Sequence, residues 1–154
     1  MISLIARITG DRALAEDLAQ ETFVKAFRNL AAFDTTRRLS SWLFRIANNT
    51  AIDAMRRARP QASIDAARRA GEPAAPPGPD PVERQELGHA LDAALTGLRP
   101  DHRAAIVLRY ENGLSFDEIG TVLGVPEATA RSHVHRARKE LARLLTASGW
   151  APPR

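Results

Sequence analysis

There is no cysteine among the 154 residues. Disulfides and thiolate metal sites are therefore excluded, and a reducing compartment suits the chain. Aromatic residues are only 5% of the total and β-branched residues are sparse, while Ala, Leu, Arg and Glu dominate, so the expected class is all-α. No apolar run approaches the length needed to span a membrane. The opening, MISLIARITGD, is too short and too soon charged for a signal peptide, so a cytoplasmic protein without membrane insertion is expected. Acid is in modest deficit, with 22 Lys and Arg against 18 Asp and Glu, and the excess of base is not evenly spread. Residues 35–60 carry six Arg against one Asp, and residues 128–146 carry five Lys or Arg against one acid. Two separate basic surfaces point to two contacts with a polyanion.

Six of the ten prolines fall between Ala58 and Pro81, a stretch with no apolar periodicity. It reads as a flexible Pro/Ala-rich linker over 58–81, dividing the chain into two small helical domains, 1–57 and 82–146, with a loose tail at 147–154.

In the second domain, Leu87, Leu91, Leu95 and Leu98 line one helix face, and Pro100-Asp101 opens another helix with Ala105, Ile106, Leu108 and Tyr110. The most informative stretch follows, LSFDEIGTVLGVPEATARSHVHRARKELARLL from Leu114 to Leu145. Ser115 and Glu118 form a capping-box pattern, Phe116, Ile119 and Leu123 an apolar stripe, and Gly124 a helix stop; Val125 plugs the corner and Pro126 starts a new helix that needs no N–H there. This is a helix-turn-helix. In its second helix Ala130, Val134, Ala137, Leu141 and Leu144 face inward, leaving Ser132, His135, Arg136, Lys139 and Arg143 outward with Arg131 beside them. A short basic helix so placed can set Arg forks on guanine edges and phosphates in a major groove. A merely solvated charged face is the bland reading; the capped helix and turn in front of it favour DNA.

The first domain starts with Ile2, Leu4, Ile5 and Ile8 at helical spacing, broken at Thr9-Gly10, with Asp11 able to cap the next helix. That helix, from about Arg12 to Leu30, is expected to bury Phe23, Ala26, Phe27 and Leu30. Its outer surface carries Glu16, Asp17, Gln20 and Glu21. Asp17 and Glu21 are like charges one turn apart, which costs a few tenths of a kcal/mol in an isolated helix. Complementing the helix dipole accounts for Glu16; a docking surface for a basic protein partner accounts for the group. After a loop with an Asp-Thr-Thr turn, Ser40 or Ser41 is expected to cap a helix reaching about Arg57, with Leu39, Leu43, Ile46, Ala47, Thr50 and Ala54 on one face. Arg45, Asn48, Asn49, Ile52 and Arg56 fall opposite. Asparagines in tandem are poor helix formers, but they can read a base edge while the arginines hold phosphate. Trp42 could stack on an exposed base or belong to the core.

Both halves resemble one family. AEDLAQETFVKAF with LSSWLFRIANNTAIDAMRR resembles region 2, and LRPDHRAAIVLRYENGLSFDEIGTVLGVPEATARSHVHRARKEL resembles region 4, of bacterial sigma factors of the extracytoplasmic-function (ECF) group within the sigma-70 family. The resemblance implies core RNA polymerase as partner of Glu16, Asp17, Gln20 and Glu21. It implies minus-ten promoter DNA as partner of Arg45, Asn48, Asn49 and Arg56, with Asn49 at a flipped base. Arg131, Ser132, His135, Arg136 and Lys139 would read the minus-thirty-five element as duplex. An anti-sigma factor is a further implied partner. The family has a fuller first helix upstream of the position of Ile2, and often Gly, Val and Arg where this chain has Ala128, Ala130 and His133. No cofactor, metal or catalytic residue is expected: His133 and His135 are two apart on a helix and face different ways. The competing readings are a helix-turn-helix regulator that binds duplex DNA without polymerase, and a helical interaction module with no nucleic-acid role.

Overall fold

The computed structural model describes residues 1–58 and 81–150, and within them the chain forms seven α-helices and no strand, as the all-α expectation requires. Of the expected linker only its end residues, Ala58 and Pro81, fall within the described residues; the rest, and positions 151–154 of the tail, lie outside them.

Helix α1 (Ile2–Thr9) buries Leu4, Ile5 and Ile8 completely or nearly so and ends at Gly10. Asp11 caps α2 (Arg12–Arg28), its carboxylate accepting from the Leu14 N–H at 3.0 Å. The buried side of α2 is Ala15, Leu18, Ala19, Thr22 and Ala26, and the Thr22 hydroxyl, itself buried, donates to the Leu18 carbonyl at 2.7 Å. This corrects the expected face. Ala26 is buried, but Phe23 is 53% and Phe27 80% exposed, and Leu30 is exposed in a single 3-10 turn (Leu30–Ala32). At 100° per residue the Phe23–Phe27 stripe lies about a quarter-turn round from the buried one. Helices α1 and α3 pack on the small residues, where backbones can come close. The large side chains instead line an open apolar groove of 540 Å³ with Val24, Leu39, Trp42 and Leu43.

Helix α3 (Leu39–Ala58) begins before either candidate serine. Neither caps it: Ser41 is buried inside the first turn and its hydroxyl has no partner among the described residues. Ala47, Thr50, Ala51 and Ala54 are buried, and Lys25 ties α2 to α3 by donating to the Thr50 hydroxyl at 3.3 Å while pairing with Glu21 at 2.7 Å. Trp42 is half-buried against Phe33, ring centroids 5.2 Å apart.

Helix α4 (Pro81–Thr96) turns at Gly97 into α5 (Pro100–Tyr110), which starts on Pro100 as expected. Seven consecutive residues of α5, His102 to Leu108, are buried, so this helix is covered on every side and acts as the axle of the fold. Helices α6 (Phe116–Leu123) and α7 (Glu127–Ala147) complete the chain. Helix α7 packs on α4, α5 and α6, while α1 packs on α4 and α5 and α3 on α6. One buried cluster therefore runs from Leu4, Ile5 and Ile8 through Leu95, Leu98 and α5 to Ile119, Val122 and Val134, so the two halves share a core in this structure.

Polar ties cross the same boundary. Arg7 pairs with Asp92 and, at 3.0 Å, with Glu111; Arg38 pairs with Glu118 at 2.8 Å. Arg103 is 4% exposed and donates to the carbonyls of Ile8, Thr96 (2.8 Å) and Leu98 (3.0 Å). One guanidinium thus closes the C-terminal ends of both α1 and α4, where a cation also meets the negative ends of two helix dipoles.

Candidate nucleic-acid interface

The turn between α6 and α7 is built as its local sequence dictates. The Ser115 hydroxyl accepts from the Glu118 N–H at 3.2 Å while the Glu118 carboxylate accepts from the Ser115 N–H at 2.8 Å, the reciprocal capping box. That N–H, with the Arg38 guanidinium, holds the Glu118 carboxyl below the usual carboxylate range. Gly124 takes φ 69°, a left-handed conformation that only glycine adopts without strain, and the Val125 N–H returns to the Gly120 carbonyl at 2.9 Å. A β-carbon at Gly120 would stand 2.7 Å from the Val125 carbonyl oxygen, so this turn is tight on both sides.

Helix α7 buries Ala130, Val134 and Ala137, with Leu141 and Leu144 half-buried behind them. Arg131, Ser132, His135, Arg136 and Lys139 are all exposed, on the side the sequence assigns them. Arg136 and Lys139 form no ion pair among the described residues, so both charges are open to an anion. Arg143 is engaged by Glu140 at 2.6 Å. Arg131 pairs with Glu127 at 3.2 Å and lies over the Phe116 ring, 4.5 Å from its centroid. His133 turns inward and packs its ring 5.1 Å from that of His102, while His135 faces out. Burial, then the neighbouring His133, Arg99 and Arg136 charges, lower the pKa of His102.

On α3, Arg45, Asn49 and Arg56 are exposed and share one face. Asn48 does not belong with them. It is 6% exposed, and its carboxamide oxygen has no donor among the described residues. Helix α3 is covered by α1, α2 and α6 rather than by one neighbour, so its buried arc widens to include position 48. On α2, Glu16, Asp17 and Gln20 are exposed, whereas Glu21 is half-covered and neutralised by Lys25. Sequence reasoning missed Phe116 and Arg109 as parts of the α7 surface. Phe116 was read only as apolar stripe, although an aromatic opening α6 stands where α7 packs back across the turn.

A capped helix, a glycine corner and a second helix with an exposed basic face define a helix-turn-helix DNA-binding protein, here with a second helical unit carrying Arg and Asn. The comparisons narrow this class. Residues 1–61 match the family model Sigma-70 region 2, and residues 88–141 match Sigma-70, region 4. The chain is 35% identical to the ECF RNA polymerase sigma factor SigW of Bacillus subtilis (strain 168), over 92% of this chain and 81% of that protein. It is 40% identical to the RNA polymerase sigma factor CarQ of Myxococcus xanthus, over 92% and 80%. Among solved structures, it is similar to the sigma factor RpoE in complex with the anti-sigma factor NepR from Bartonella quintana, with a TM-score of 0.73, 29% identity, and 94% and 89% of the two chains covered. It is also similar to CnrH in complex with the cytosolic domain of CnrY, with a TM-score of 0.68 and 31% identity over 95% and 80%. The chain belongs to the sigma-70 family, in its ECF group, and is a sigma factor directing transcription initiation.

Proposed function

We propose that this sigma factor divides its work between the two helical halves, 1–57 and 82–146. Helix α7 enters the major groove of the minus-thirty-five element with Arg131, Ser132, His135, Arg136 and Lys139. Helix α3 meets the minus-ten element, with Arg45 and Arg56 on phosphate and Asn49 on a base drawn out of the stack. Asn48 is left out of this set because its side chain is covered. Trapping an extruded base lets binding energy offset part of the cost of strand opening. The exposed Glu16, Asp17 and Gln20, with Glu21 at their edge, dock on a basic surface of core RNA polymerase. The chain supplies no catalysis of its own, acts in the cytoplasm where polymerase is, and is held inactive by an anti-sigma factor, as the similarity to two sigma factors solved in complexes supports.

The observation that carries this reading is the open basic face of α7 on a capped, glycine-cornered helix-turn-helix. Reconstituted transcription tests it. Core polymerase with this chain should give promoter-dependent transcripts from candidate ECF promoters; none from any candidate would refute the proposal. In the same assay Asp17→Arg should weaken polymerase binding and leave the thermal melt unchanged, because Asp17 is exposed and unpaired among the described residues.

Reading both elements requires the halves to part. The two elements lie about 25 base pairs apart, or roughly 85 Å along the helix axis. A compact body of this size is only about 40 Å across. The 22 residues between Ala58 and Pro81 reach at most about 75 Å when fully extended, which suffices once the widths of the halves are added.

A further inference from the structure

Of the five side chains assigned to the minus-thirty-five element, one is braced and four are not. Arg131 has its guanidinium carbon 4.5 Å from the Phe116 ring centroid, and one of its terminal nitrogens 3.2 Å from the Glu127 carboxylate. The ring is itself held. Phe116 is half-buried against the core, follows the capping serine, and lies under a second guanidinium, that of Arg109, at 4.6 Å. Arg109 is fixed in turn by donating to the Leu114 carbonyl at 2.8 Å. Ser132, His135, Arg136 and Lys139 have no such contacts among the described residues.

We propose that Phe116 is a positioning residue for promoter recognition: its ring holds Arg131 in one orientation and so makes Arg131 the side chain that distinguishes a guanine in the minus-thirty-five element. This rests on the sigma-factor reading above. The ring face attracts the cation and restricts its rotamers, and Glu127 fixes the turn of the guanidinium plane. The side chain stays 62% exposed, so the edge not used by Glu127 remains available. Bidentate contact with a guanine edge demands that plane be set within narrow limits, and a long side chain ordered before binding loses less entropy on binding. The unbraced cations suit phosphate, which tolerates many approaches.

The test uses the full chain with core polymerase and a promoter fragment carrying each single base substitution across the minus-thirty-five element. Arg131→Ala should abolish discrimination at one base pair. At that pair Phe116→Leu should lower the preference for the correct base by roughly tenfold, within the range carried by a bidentate contact. Phe116→Tyr should retain the preference. In an Arg131→Ala background, Phe116→Leu should have no further effect on discrimination. Glu127→Gln, a surface change that leaves the fold alone, should lower the same ratio even if overall affinity rises from the lost negative charge. The inference is overturned if Arg131→Ala loses discrimination nowhere, if Phe116→Leu weakens all sequences equally, or if the two substitutions act additively. Absence of promoter-dependent transcript from the parent chain would instead defeat the sigma-factor assignment of the sites, a result separate from all of these.

Discussion

Arg103 is a buried cation whose side chain bonds to carbonyls of both halves of the chain. Burial pulls its pKa below the ordinary arginine value, yet three carbonyls accept from its terminal nitrogens, while among the described residues its buried Nε–H has no acceptor and no carboxylate pairs with it. Such a cation is stable only because the acceptors are helix-end carbonyls that nothing else satisfies. Arg103→Leu would leave the carbonyls of Ile8 and Leu98 buried and unpaired, at about 1–3 kcal/mol for each such group, and that of Thr96, on an exposed residue, to water. Since some will regain water, the expected loss of stability is about 3 kcal/mol, measured by urea unfolding. Arg103→Lys should recover little of it, because an ammonium cannot span the three acceptors that the planar fork reaches. His102 supplies a pH-dependent counterpart. Its pKa is lowered in the folded chain, so the unfolded chain binds the proton more readily. The folded state is then fully stable above the unfolded value of about 6.5 and loses stability as pH falls below it, down to the folded pKa. Thermal melts at pH 7.5 and 5.5 should show this loss, and His102→Gln should flatten the dependence.

At the scale of the element, the helix-turn-helix and α2 show what was legible in the residues and what was not. The Ser115–Glu118 box, the stop at Gly124 and the apolar spacing of α7 are local instructions, and each is realised where the sequence places it. The face of α2 was misread because hydrophobic size is a poor guide when packing is close. Ala15, Ala19 and Ala26 went inside because they let helices approach, while Phe23 and Phe27 stayed out. Position 48 was misread for a different reason: α3 is covered by α1, α2 and α6 together, the last more than 60 residues later in the chain, and no local pattern records that packing. The same contrast of local and tertiary demands makes opposite predictions for two helical glycines. A β-carbon added at Gly88 in α4 would meet nothing within 4 Å among the described residues, so Gly88→Ala should stabilise the chain by up to about 1 kcal/mol through helix propensity. Gly120→Ala places that carbon 2.7 Å from the Val125 carbonyl oxygen and should destabilise by about 1–3 kcal/mol, since the turn backbone must shift. Paired urea titrations check the signs.

For the whole molecule, the shared core sets a condition on function. The surfaces assigned to the two promoter elements belong to halves joined by α1 on α4 and α5, by α3 on α6, and by the pairs of Arg7 and Arg38. On the proposed division of work, polymerase and promoter supply the free energy that separates them, and the apparent affinity is the intrinsic affinity multiplied by the fraction of chains already open. Apolar contact dominates that closing energy, at about 1.5–3 kcal/mol for each large side chain uncovered, whereas a partly exposed ion pair contributes at most about 1 kcal/mol. Arg7→Glu is the informative change because it replaces two attractions by two repulsions, against Asp92 and Glu111, without touching the apolar core. A shift of about 1.4 kcal/mol towards the open form is expected, which is tenfold in the open fraction and hence about tenfold tighter binding to core polymerase while the closed form still predominates. Titration of labelled chain with core polymerase measures it, and the gain should shrink as salt screens the pairs. Equal affinity for both chains at low salt would mean that closing does not compete with polymerase, and that the halves are already apart when it arrives.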